Sequence, residues 1–228
     1  MLIALPFMFL GMFVSARLKS KFTKYSKIQL KNGLTGREIA ERMLEHHGIY
    51  DVKVTSVQGT LTDHYNPMNK TVNLSNAVYN QANAAAAAVA AHEVGHAVQH
   101  ATNYGPLNLR SKLVPLQNAS GMIMNIVVMI AFVGGYALFQ AVPVEAIIWV
   151  MIATNGILFL FSAVTLPVEF DASKRALVWI EKNGIVTQKE LVMSKDALNW
   201  AAMTYVVAAL SALASMVYWI VQLLGSRD

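Results

Sequence analysis

The run from Ala90 to His100, AAHEVGHAVQH, holds three of the chain's six histidines, and two of them, His92 and His96, bracket Glu93. Residues four apart share one face of a helix. Neutral imidazoles at 92 and 96 can therefore reach a single Zn2+, each at about 2.0–2.1 Å. Glu93 lies on the flank of that face, where a carboxylate can take a proton from a metal-bound water without ligating the metal. Gly95, which costs a helix about 1 kcal/mol relative to Ala, would leave room beside the metal. The bland alternative is a helix carrying solvated histidines.

Two histidines do not hold a catalytic metal alone. His100 lies eight residues beyond His92, about 12 Å along a helix axis, too far for one zinc to bind both, and reads as a polar residue supporting the site. His46 and His47 close an earlier helix, where cations suit the dipole, and read as surface residues. The third ligand is sought in TLPVEFDASKRAL, residues 165–177. Glu169 there follows a charge-free run, just after Pro167, where a helix is expected to restart. An ionisable group at the edge of a bilayer is a functional candidate. Asp171 would point away from Glu169 on a helix, whereas Ser173, one turn on, shares its face. Glu169 is thus the expected ligand, Asp171 a helix-start carboxylate or a support behind the ligands, and Ser173 a possible support. Lys174 and Arg175 are assigned to lipid head groups or to capping charges.

The elements that must position these residues lie partly in a membrane. Of the 228 residues, 55% are hydrophobic and 14% charged, against about 25% charged in average soluble domains; the mean hydropathy is +0.43. The net charge of +5 is modest and no basic run alternates with aromatics, which argues against a nucleic-acid partner. The absence of cysteine excludes disulfides and thiolate metal sites and leaves the redox compartment open. No charge occurs from Leu113 to Val144, from Ala146 to Val168, or from Ala197 to Ser226. A spanning helix needs about 20 apolar residues, which predicts spans at 120–140, 146–166 and 201–224, the first two joined as a hairpin by AVPVE. The N-terminal MLIALPFMFLGMFVSA is read as a retained anchor, with a cleaved signal peptide as the competing reading. Twelve of the eighteen Lys and Arg fall in residues 17–112 and five in 167–200. The positive-inside rule then puts both segments in the cytoplasm.

In the first polar segment, Thr35 and Glu38 form a capping-box pattern before an apolar run, and Gly48 stops it. DVKVTSV, GTLTDHY and TVNLS are rich in β-branched residues and separated by turn signals, which predicts a small meander or hairpin. Ser75 is expected to cap one long helix, about 75–104, through the alanine tract and the histidine motif. The stretch LTDHYNP reads either as an edge strand and corner, with Asp63 and Asn66-Pro67 making the turn, or as a strand lining a cleft. In the second case an extended peptide would add to it, and His64 or Tyr65 would donate to an oxyanion.

The expected architecture is thus a mainly α membrane protein. It has about four transmembrane helices and a small α+β zincin-like segment with a long HExxH helix. The parts are an anchor (1–16), a cytoplasmic α+β segment (17–112), a transmembrane hairpin (113–166), a cytoplasmic segment with the third ligand (167–200) and a last span (201–224).

TGREIAERML, GTLTDHYNP, VNLS, AAHEVGHAVQH and PVEFDASKRAL, in that order, make the chain similar to the YugP-type membrane zinc metallopeptidases of bacteria. The resemblance covers almost the whole polar portion, and the last two blocks are the specific ones. It implies a gluzincin-like site with one zinc per chain, His92, His96 and Glu169 as ligands and Glu93 as general base. The organisation also resembles the more distant HtpX and CAAX prenyl protease group, which places a transmembrane hairpin between the HExxH helix and the glutamate ligand. That group usually carries Asp one turn after the glutamate, where this chain has Ser173.

The function expected from these residues is zinc-dependent endopeptidase activity at the cytoplasmic surface of the cell membrane, by a metal-activated water. The partners are a protein or peptide substrate, membrane proteins among them, and the lipid bilayer. One alternative is an intramembrane site-2-type protease, which buries HExxH inside a span; here the motif helix is expected to contain Asn80, Gln81 and Asn83 and is bordered by polar segments. Another is a ZIP-like zinc transporter, which needs ligands in several spans; residues 120–166 hold no His, Asp or Glu except Glu145.

Overall fold

A computed structural model describes residues 4–130 and 143–225, which form mostly helix with one small sheet. In chain order the elements are α1 (Ala4–Tyr25), α2 (Gly36–His46), β1 (Lys53–Val57), β2 (His64–Asn66), β3 (Thr71–Ser75), α3 (Asn76–Tyr79) and α4 (Ala84–Ala101). Three long helices follow: α5 (Gly105–Met129), α6 (Val144–Lys182) and α7 (Gln188–Gly225). The chain divides into two compact units. One comprises Met1–Phe13, Leu109–Leu166 and Thr204–Asp228; the other comprises Val14–Asn108 and Pro167–Met203.

The first unit is apolar. Many of its large side chains, among them Phe9, Met12, Met122, Trp149, Leu160 and Val221, are exposed. Three of its buried polar side chains bond to their own helix: Thr154 Oγ1 donates to Val150 O and Thr165 Oγ1 to Phe161 O, both at 2.8 Å, and Asn155 Nδ2 donates to Met151 O at 2.8 Å. Such back-bonding satisfies a hydroxyl or amide where water is absent. Among the described residues two helices, α6 and α7, are long and apolar enough to cross a membrane, rather than the four expected. The N-terminal anchor falls in α1 from Ala4 on, residues 1–3 lying outside the described residues. The span expected at 120–140 runs into residues 131–142, outside the described residues. The helix expected to restart after Pro167 does not restart, because α6 runs unbroken through that proline.

The second unit holds the core. At α2 the capping box forms as expected: Thr35 Oγ1 accepts from Glu38 N at 3.3 Å and Glu38 Oε2 accepts from Thr35 N at 2.8 Å. Ile39, Ala40, Met43 and Leu44 are buried on its apolar face, and Gly48 takes the left-handed φ of +68° that ends the turn. The sheet departs from the expected meander. Its order is β1-β3-β2, with β1 parallel to β3 (Lys53 opposite Thr71, Val57 opposite Ser75) and β2 antiparallel to β3 (His64 opposite Asn73). β3 takes the centre because its apolar side chains, Val72 and Leu74, are fully buried. β2 is pinned to the far side of β3 by Asp63, whose carboxylate accepts from Ser75 N at 2.7 Å and from Ser75 Oγ at 3.1 Å.

The single helix expected over 75–104 is two. α3 ends at Tyr79, and α4 starts at Ala84 with Asn83 as its cap, the Asn83 side chain accepting from Ala86 N at 2.9 Å. Backbone pairing between distant segments makes the break: Leu30 N donates to Ala82 O at 3.0 Å, Ala84 N to Ile28 O at 3.0 Å and Gly36 N to Gln81 O at 3.1 Å. A side chain at Gly36 would collide with the Val78 carbonyl. Ser75 caps nothing by its side chain, which is spent on Asp63. Ala84 to Ala88, Ala90 and Ala91 are wholly buried, with α2, α3, β2 and β3 packed around α4. The alanine tract thus makes α4 the central helix of this unit, because small side chains let neighbouring elements approach.

Candidate metal centre

Helix α4 presents His92 and His96, and α6 presents Glu169, within the second unit. His92 Nε2 lies 3.3 Å and His96 Nε2 3.6 Å from Glu169 Oε2. One donor atom from each residue falls within 4.8 Å of the other two. Glu169 is 3% exposed, His92 9% and His96 8%. Burial disfavours an imidazolium at His96, but the hydrogen bond and negative charge of Glu169 outweigh it and raise its pKa. Two imidazole nitrogens and one carboxylate oxygen match the donor set of a zinc site that keeps a position open, and a divalent ion would balance Glu169 as a proton otherwise must.

Each imidazole has a partner on its other nitrogen. His92 Nδ1 lies 3.1 Å from Ser173 Oγ, and His96 Nδ1 lies 3.0 Å from Gln99 Oε1. Ser173 thus stands behind His92, on the face it shares with Glu169. Asp171 is interior to α6 and not at a helix start. Its Oδ2 accepts from Gln99 Nε2 at 2.8 Å and from Arg175 Nε at 2.6 Å. Arg175 thereby serves Asp171 and lies over the Tyr104 ring, 5.7 Å from its centroid, while Lys174 is exposed.

Glu93 lies outside the triad. Its Oε2 accepts the backbone N–H of Tyr65 at 3.0 Å, so the edge strand β2 reaches the motif through its main chain. Burial pushes the Glu93 carboxyl upward, against a smaller downward pull from His92 and His96. The Tyr65 hydroxyl lies 2.8 Å from His100 Nδ1, and His64 Nδ1 donates to Thr62 O at 2.8 Å on an exposed turn. His100 thus engages Tyr65 and takes no part in the ligand cluster. His46 and His47 are exposed.

Gly95 has a different reason from the one its neighbours suggested. A Cβ there would fall 2.6 Å from Ala172 O, so this glycine lets the α6 backbone approach α4 closely enough for Glu169 to meet the two histidines. Gln99 was not singled out in the sequence, although it stands three residues beyond His96 and so on the same face of the helix.

The family model described as "Putative neutral zinc metallopeptidase" matches residues 1–224. The chain belongs to that family. It is 41% identical over 220 residues to the "Putative membrane protease YugP" of Bacillus subtilis (strain 168), covering 96% of this chain and 94% of the relative. No solved structure matches significantly.

Proposed function

We propose that this protein is a membrane-embedded zinc endopeptidase that cleaves peptide bonds at the cytoplasmic membrane surface. The observation that carries the reading is the convergence of His92, His96 and Glu169 with Glu93 beside them but outside the cluster. Bound by those three residues, zinc supplies Lewis-acid polarisation of a carbonyl and a water of lowered pKa. Glu93 accepts the proton of the attacking water and passes it to the leaving amine. A carboxyl whose pKa is raised by burial suits that exchange better than an ordinary one, since general bases work best near the ambient pH. The Tyr65 N–H holds the Glu93 carboxylate in place, and β2, the edge strand, is the proposed border of an extended peptide, which would pair there without the Tyr65 N–H. In this reading His64 and Tyr65 border the substrate.

Metal removal tests the activity. The purified protein in detergent should cleave an unfolded protein or a quenched peptide library, lose that cleavage on treatment with a zinc chelator, and regain it when zinc is returned. Cleavage that survives complete removal of metal would end the zinc reading.

The placement at the membrane is supported by the relative's printed name, by the apolar helices α6 and α7, and by the basic character of residues 17–112 and 167–200. Packing of α4 inside the second unit favours a site beside the bilayer over one within a span. The four-span arrangement, with residues 1–16 and 120–140 as the other two spans, belongs to this proposal. Single cysteines can test it, because the chain has none. Ser20, Ser111 and Lys189 are exposed; replaced by Cys, each should react with a membrane-impermeant maleimide only after the cytoplasmic side is opened. Val144→Cys should react from the outside. Labelling of the 144 and 189 positions from the same side would refute the arrangement.

A further inference from the structure

We infer that Gln99 is a positioning residue that fixes how His96 presents its metal-binding nitrogen, and that Asp171 acts on His96 through it. This rests on the zinc reading of His92, His96 and Glu169. Gln99 is entirely buried. Its Nε2 lies 2.8 Å from Val168 O and 2.8 Å from Asp171 Oδ2. A carbonyl and a carboxylate can only accept, so the two N–H donors of the amide must face them, and the partners fix its orientation. The amide oxygen is left facing His96 Nδ1 at 3.0 Å. Because that oxygen also can only accept, Nδ1 must carry the hydrogen. A neutral imidazole with Nδ1–H has its lone pair on Nε2, the atom turned toward Glu169.

The chain of bonds continues outward. Asp171 is itself held by Arg175, so the order is Arg175, Asp171, Gln99, His96. Metal sites often join a ligand histidine directly to a carboxylate; here an amide stands between them. The amide adds something a carboxylate could not. Its second donor holds the carbonyl of Val168, the residue before Glu169, so one side chain ties the helix of the two histidines to the backbone beside the third ligand. His92 has no such device. Ser173 Oγ can donate or accept, and it does not by itself specify a tautomer.

The test uses the full-length protein in detergent, with zinc affinity read by competition with a chromophoric chelator and ligand geometry by the visible spectrum of the cobalt-loaded form. Gln99→Met, of similar size, removes all three bonds and should weaken zinc binding about 10–100-fold, the range typical for residues behind metal ligands, and change the cobalt spectrum. Gln99→Glu keeps an acceptor for His96 but sets a carboxylate against Asp171, and should also weaken binding. Adding Asp171→Asn returns an amide donor from the opposite side and should restore part of the lost affinity, the bond to Val168 O remaining broken. Wild-type zinc affinity and cobalt spectrum in Gln99→Met would overturn the inference. So would equal affinities in Gln99→Glu and the double variant, a comparison that decides the matter if Gln99→Met fails to fold. Failure of the wild-type protein to bind zinc would instead overturn the zinc reading.

Discussion

Glu93→Gln is expected to keep zinc near about one equivalent per chain while losing hydrolysis by at least the roughly 10²–10⁴-fold that a positioned general base contributes. The reasoning is one of separation. Glu93 sits next to His92 in sequence but gives no atom to the ligand cluster, and its carboxylate is bound instead by the Tyr65 N–H. A glutamine there has nearly the same shape and leaves His92, His96 and Glu169 untouched, so the metal should remain. What it cannot do is accept a proton and return it. Zinc content and turnover measured on the same preparation decide the question. Near-native turnover would remove Glu93 as the base, and parallel loss of zinc would show that it supports the metal instead. The same variant, carried in cells, should hold substrates uncleaved and so give access to their identity.

The second large effect concerns Glu169. Glu169→Ala should lose zinc as completely as His96→Ala, because each removes one of three donors, and the neighbouring Glu93 carboxylate is held by the Tyr65 N–H. Asp171→Ala should keep most of its zinc, weakened by the roughly 10–100-fold typical of residues that act through a ligand. Distance and bonding justify the ranking: Glu169 Oε2 lies 3.3 Å from His92 Nε2 and 3.6 Å from His96 Nε2, whereas Asp171 reaches the site only through Gln99. Metal analysis of the three variants after passage through a desalting column is sufficient. A reversed order, with Asp171→Ala empty and Glu169→Ala loaded, would move the third ligand to Asp171.

What could be read from the chain alone was what depends on neighbours in sequence. The spacing of His92, Glu93 and His96 sets one helix face, and no tertiary contact is needed to see it. The capping box of Thr35 and Glu38 spans three residues, and the apolar runs that became α6 and α7 are properties of composition. Glu169 was legible for a similar reason, as an ionisable residue at the end of a long charge-free stretch. The fold itself had to decide the rest, because it turns on pairs far apart in the chain. The break before α4 comes from residues 28–36 bonding to residues 81–84, and high helix propensity in the alanine tract cannot announce a partner some fifty residues earlier. The strand order follows from Asp63 reaching Ser75. Gly95 is explained by Ala172, and Gln99 by Val168 and Asp171, across separations of 69 and 72 residues in the latter two. Local rules placed the two histidines on one face, with Gln99 one turn behind His96; only the packing of α6 against that face brought a carboxylate to them, gave His92 its Ser173 partner and fixed the Gln99 amide.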